Sequence, residues 1–172
     1  VALYEYRDTA GVCLDHGGGH RGLVHRQHGI PVARLAAEEL DVAPERIVMV
    51  RPDTIDAPDE GMTSGSNSME ESGNAARLAA ATARARMLAA AAEALGVDID
   101  GLEVADGAIT ARATNRSTSY WELQGGKPFG MPIDVNARVK PVGERTLVGR
   151  PSAPLDLEDI VTGRHVFVND MN

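Results

Sequence analysis

Apolar and polar positions divide the chain into stretches of distinct period. From Pro31 the period is helical: Val32, Leu35, Ala36 and Leu40 fall at i, i+3, i+4 and i+8, one apolar face. Pro31 suits the first turn of that helix, and Asp41-Val42-Ala43-Pro44 ends it. Arg46 to Val50 is short and β-branched, which predicts a buried strand. Residues 52 to 65 carry no period and read as a long loop. A long alanine-rich helix follows, predicted from about Ser68 to Leu95 with Glu70 and Glu71 in its first turn and Gly96 as its stop. Leu78, Thr82, Ala85, Ala89, Ala92 and Leu95 are its expected packing stripe.

Val97 to Ala113 predicts a β-hairpin about Asp106-Gly107. Ser117-Thr118-Ser119 caps a short helix through Leu123. Beyond Gly125 the composition shifts to Pro, Gly and Val. Leu147–Pro151 and His165–Val168 read as extended. Near the start the pattern is weak, with short strands expected at Val1–Tyr6 and Gly22–His25. The fold class is therefore α+β: a long Ala-rich helix on a small mixed sheet, with an extended C-terminal segment. Its expected divisions are 1–125, a linker over 126–145, and a second, truncated unit over 146–172.

Composition narrows the function classes. The 172 residues carry a net charge of −8, which argues against a nucleic-acid surface. Six aromatics leave the core to Ala, Val and Leu. Cys13 stands alone, so no internal disulfide forms, and its free thiol fits a reducing compartment. No apolar run is long enough to span a bilayer, and Val1–Glu5 lacks the pattern of a signal peptide. A cytoplasmic location is expected, with the periplasm as alternative.

Candidate chemistry gathers where the loop meets the long helix. Gly61-Met62-Thr63-Ser64-Gly65-Ser66-Asn67-Ser68 places hydroxyls and unpaired backbone N–H groups at the positive end of a helix dipole. That combination grips a phosphate or a pterin edge. It is also the composition of any well-capped helix start. Cys13, His16, His20, His25 and His28 match no standard zinc spacing, and scattered loop histidines are the expected reading. Gly17-Gly18-Gly19 lacks the Lys-Ser/Thr ending of a P-loop and reads as a turn. Asp53, Asp56, Asp59 and Glu60 lack the register of a calcium loop and read as solvated. No nucleophile triad is visible, and no metal ligand is assigned.

Two blocks carry a family resemblance. Gly29-Ile30, Leu35–Val42, Pro44–Ile47, Asp53-Thr54, Pro58–Gly61 and Thr63–Ser68 stand in the order and spacing of the molybdopterin-binding subunit of the xanthine dehydrogenase / aldehyde oxidase family. Val148–Pro151, Leu155-Asp156, Val161–Arg164 and Phe167–Met171 resemble the opening of that family's hammerhead domain. The resemblance implies an oxidoreductase acting on an aldehyde or N-heterocycle. It implies a molybdopterin cofactor, as the cytosine dinucleotide form or without it. It also implies [2Fe-2S] clusters on a partner subunit and a second molybdopterin-binding chain. Gly29, Thr63, Ser64, Gly65, Ser66, Asn67 and Ser68 are the implied cofactor contacts. The family's catalytic glutamate belongs to a region this sequence lacks, so no catalytic residue is assigned here and activity requires other chains. Where the family has a glycine-rich turn before the first helix, this sequence reads Gln27-His28-Gly29, with only Gly29 in register. The alternative is a non-catalytic structural or interaction domain of the same ancestry.

Overall fold

The computed structural model describes residues 2–4, 11–13, 29–50, 66, 69–70, 72–127, 129–152, 157–166 and 170. Two three-stranded sheets and two long helices make the frame. In the first sheet β1 (Ala2–Tyr4) lies between β2 (Gly11–Cys13) and β3 (Val48–Val50), antiparallel to β2 and parallel to β3. This is the expected small mixed sheet, and the long helix packs beside β2. The second sheet runs β4 (Leu102–Ala105), β5 (Ala108–Ala111), β6 (Ser117–Ser119), antiparallel throughout. Asp106 and Gly107, at φ 49° and 79°, make the predicted tight turn between β4 and β5.

Helix α1 (Gly29–Leu40) and helix α2 (Ser72–Leu95) form the centre. Both end the same way. Val42 N–H reaches Ala37 O across Asp41 at φ 53°, and Val97 N–H reaches Ala92 O across Gly96 at φ 66°. These are Schellman caps, and Gly96 is the residue such a cap prefers. Asp41 adopts the left-handed conformation without that freedom.

α2 starts at Ser72, later than the Ser68 start its Ser- and Gly-rich approach suggests, so Glu70 lies in the turn ahead of it rather than in its first turn. Its buried face also differs from the expected stripe. Gly73, Ala76, Ala80, Ala83, Met87 and Ala91 are buried, whereas Ala85 and Ala89 are exposed. Alanine occurs on every side of this helix, so its apolar pattern fixes no face and its neighbours decide which one is covered. Ala79, Ala81 and Thr82 are buried as well, and Thr82 bonds the segment that follows Gly130.

α3 (Tyr120–Gln124) is capped by Ser119, whose Oγ accepts Glu122 N–H at 3.2 Å. α4 (Leu157–Val161) is a helical turn that periodicity does not predict. Leu147 to Arg150 form turns instead of the expected extended run, because side chains of α1 bind their backbone. The expected strand at Gly22–His25, the four histidines, Gly17–Gly19 and the acidic loop lie outside the described residues. Among the described residues no helix is long and apolar enough to cross a membrane.

Candidate functional site

Two contacts fix how α1 and α2 lie together. Gly73 faces Leu35: a Cβ there would stand 3.2 Å from Leu35 Cδ1 and 3.3 Å from Met69 Cε. One turn on, Arg77 Nε donates to Glu39 Oε1 at 2.8 Å. Residue numbers rise together on both helices, so the two run parallel. Their N-termini, Gly29 and Ser72, therefore share one end of the molecule. By helical rise Gly29 projects about 9 Å beyond Leu35 along that axis. Neither helix has an acidic residue in its first turn. The two dipole ends and their leading N–H groups are thus not opposed by any carboxylate of those turns.

Of the residues singled out by sequence, the structure places Gly29 at the start of α1 and Ser66 in an exposed turn approaching α2. Ser66 has φ 58°, a left-handed conformation uncommon outside glycine. Thr63, Ser64, Gly65, Asn67 and Ser68 lie outside the described residues.

The C-terminal end of α1, level with the second turn of α2, holds a buried charged cluster that sequence reasoning missed. Glu38 and Glu39 are 2% and 1% exposed. Glu38 accepts the backbone N–H groups of Thr146, Leu147 and Val148 at 2.7 to 3.0 Å. Burial pushes its carboxyl up. The three N–H groups and the charge of Lys140 outweigh that and hold it below the ordinary carboxylate value. Glu39 accepts from Arg77 and from Lys140 N–H at 2.9 Å. Lys140 Nζ pairs with Asp41, and Arg84 Nε stands 2.9 Å from Asp41 Oδ2 as an ion pair without an aligned hydrogen bond. Three carboxylates thus meet Arg77, Arg84 and Lys140. Among the described residues the buried Tyr120 hydroxyl makes no aligned hydrogen bond, although Arg84 lies beside it, and burial raises its pKa.

Beside this cluster a cleft of about 210 Å³ has Glu38, Asp41, Asp106 and Lys140 as its charged lining. Its carboxylates are already engaged: Asp106 receives Arg46 at 2.7 Å and Ala43 N–H at 3.0 Å. Among the described residues no three His, Cys, Asp or Glu side chains are placed to hold a metal. Glu38 clamps backbone, while Asp41 and Asp106 hold the side chains of Lys140, Arg84 and Arg46. One sequence signal pointed to the cluster. Glu38, Glu39 and Asp41 crowd the C-terminal end of α1, where the helix dipole disfavours negative charge.

Residues 9–142 match the family model of the molybdopterin cofactor-binding domain. The chain belongs to that family. A subunit of the nicotinate dehydrogenase of Pseudomonas putida is 38% identical over 141 residues, covering 81% of this chain and 12% of that protein. The gamma subunit of the 6-hydroxypseudooxynicotine dehydrogenase complex of Paenarthrobacter nicotinovorans is 35% identical over 104 residues, 60% of this chain and 13% of that protein. This molybdopterin-binding-family chain thus spans about an eighth of the length of these curated relatives. A Cu,Mo-CO dehydrogenase structure in the CO-reduced state shares the fold, with TM-score 0.50 and 23% identity over 64% of this chain and 15% of that one. A reconstituted CO dehydrogenase from Oligotropha carboxidovorans aligns at TM-score 0.49 and 26% identity, over 58% of this chain and 12% of that one. The resemblance read from the sequence to the xanthine dehydrogenase / aldehyde oxidase family is borne out.

The described residues of this molybdopterin-binding fold suit an anionic, acceptor-rich group. Gly29 carries no side chain at the start of α1. Ser66 is exposed, and the first turns of both helices are free of carboxylates. A pterin with its phosphate needs many short, fixed donors, which such an end provides.

Proposed function

We propose that this chain contributes the pterin-binding segment of a multi-chain molybdenum hydroxylase. The observation that carries this reading is the pair of parallel helices whose N-termini, with no acidic residue in either first helical turn, share one end, in a chain of the molybdopterin-binding family. Gly29, Thr63, Ser64, Gly65, Ser66, Asn67 and Ser68 hold the cofactor there through backbone N–H and hydroxyl donors. The dinucleotide form suits this end, since helix N-termini accept a pyrophosphate. Bound there, molybdopterin supplies oxygen insertion into a C–H bond, with the electrons leaving through [2Fe-2S] clusters on a partner subunit. This chain binds and orients; a second molybdopterin-binding chain provides the catalytic glutamate. An N-heterocycle is the favoured substrate class over an aldehyde, because the 38% identical relative is named for nicotinate. Residues 146–172 open a hammerhead-like unit, and the assembly works in the cytoplasm.

The test is molybdenum content and native mass of the assembly purified from its source cells. About one molybdenum per chain in a larger complex supports the reading, as expected for a site that holds one cofactor. A metal-free chain running alone near 18.2 kDa overturns it in favour of a non-catalytic domain.

A further inference from the structure

Lys140 also lines a second cleft, of about 390 Å³, and that cleft has the opposite sign. In the first, three carboxylates stand against Lys140. In the second, Arg84, Arg138 and Lys140 stand against Glu144 alone. A cationic surplus in one cleft is the reverse of what a chain of net charge −8 would place there by composition.

One wall of this cleft is a single face of α2. Ala81, Arg84, Ala85 and Leu88 stand at i, i+3, i+4 and i+7. The two alanines leave room beside the helix, between the longer Arg84 and Leu88. The other wall is the segment 138–144, with Ile99 adding an apolar side chain that is 48% exposed. That second wall is fixed. Lys140 N–H reaches Glu39 at 2.9 Å, and its carbonyl accepts Arg77 Nη2 at 2.7 Å. Glu144 N–H then closes a tight turn on the Pro141 carbonyl at 3.0 Å. The cleft is therefore preformed, and its volume lies in the range of small-molecule sites.

The three cations are not equally available. Lys140 is committed to Asp41 and stands 4.0 Å from Glu38. Arg84 shares Asp41 with it: its Nε lies 2.9 Å from Oδ2 without an aligned hydrogen bond. One carboxylate thus serves two cations, which leaves the Arg84 fork incompletely paired. Arg138 is exposed, and among the described residues it makes no ion pair, not even with Glu144 across the same cleft. A guanidinium fork matches the two oxygens of a carboxylate. The rest of the lining includes Leu88, Ile99 and Val139, which offer an inorganic ion nothing but suit an apolar body.

We propose that this cleft binds a small organic carboxylate, an acid carried on an apolar ring or chain. Its carboxylate meets Arg138 and Arg84, and its body lies against Leu88 and Ile99. This binding is separate from the cofactor end assigned above and uses none of its residues.

The test labels the assembled enzyme containing this chain with photoreactive 4-azidobenzoate and maps the adducts by mass spectrometry. Adducts are expected within residues 81–88, 99 and 138–144. Benzoate is expected to displace them, while benzyl alcohol, with the ring but no charge, and inorganic phosphate, with charge but no ring, are not. Arg138→Ala is expected to cut labelling about tenfold, as loss of a charge-assisted hydrogen bond does. Ala85→Phe, at an exposed position, is expected to fill the cleft and abolish labelling. Arg84→Gln should weaken labelling too; if that variant fails to fold, Arg138→Ala decides, since Arg138 is exposed. Adducts elsewhere only, or labelling unchanged in Arg138→Ala, overturn the proposal. Displacement by benzyl alcohol as strong as by benzoate also overturns it, marking a merely apolar surface. Phosphate displacing as well as benzoate does the same, marking a merely cationic one.

Discussion

Arg77 and Glu39 join the two parallel helices through a 2.8 Å ion pair, with the Glu39 side chain 1% and the Arg77 side chain 19% exposed. Removing the cation strands a buried carboxylate that, among the described residues, retains Lys140 N–H as its one partner. Arg77→Ala is expected to destabilise the fold by about 3 kcal/mol, as for other buried pairs broken on one side. Replacing both residues by apolar side chains of similar size costs less than that single change. Urea unfolding of the two variants checks the order.

The β4–β5 turn is equally intolerant of a small change. A Cβ on Gly107 would lie 2.5 Å from Trp121 Cη2, and the residue sits at φ 79°. Gly107→Ala therefore combines backbone strain with a clash against an aromatic ring. A loss of about 1–3 kcal/mol is expected, read in thermal unfolding. Trp121 fluorescence should shift as well, since the indole must move off the turn. Arg46 stacks on that ring at 4.7 Å.

Ser66 tests the ligand-binding loop. At φ 58° its backbone excludes proline, whose ring fixes φ near −65°, and accommodates glycine. Ser66→Pro is expected to abolish molybdenum retention in the assembled enzyme, while Ser66→Gly keeps the backbone path and loses only the hydroxyl. Equal molybdenum in the wild type and the proline variant would remove this loop from the site.

Glu38 gives the fold an acid limit. Its carboxyl is held below the ordinary value of 4.5, so the unfolded chain binds a proton at higher pH than the folded one does. The stability it contributes is complete above about pH 4.5 and fades as pH falls through the lower folded value. Glu38→Gln is expected to flatten that acid dependence. Unfolding midpoints from pH 6 down to about pH 3 in wild type and variant measure the difference.

Local chemistry made some elements legible in the sequence and long-range contacts hid others. Pro31, Gly96, Asp106-Gly107 and Ser119 act on their own neighbours, and each marks an element boundary or turn found in the structure. The covered face of α2 was not legible, since alanines on all sides leave Leu35 and the segment around Asp134 to choose it. The turns at 146–150 depend on Glu38 and Arg34, over a hundred residues earlier. Glu38 and Glu39 look like solvated charges until their partners are known. Of the candidate site, the resemblance supplied the family, and the parallel pairing of the helices emerged only from Leu35–Gly73 and Glu39–Arg77.

The chain has two lysines, Lys127 and Lys140. Lys127 is exposed, while Lys140 is 9% exposed with its ammonium paired to Asp41. An amine-reactive label therefore meets one exposed ε-amine in the native chain and two once the segment around Lys140 has lifted off the helices. Counting labels per molecule by mass turns Lys140 into a native reporter of that segment's detachment, with no probe engineered into the protein.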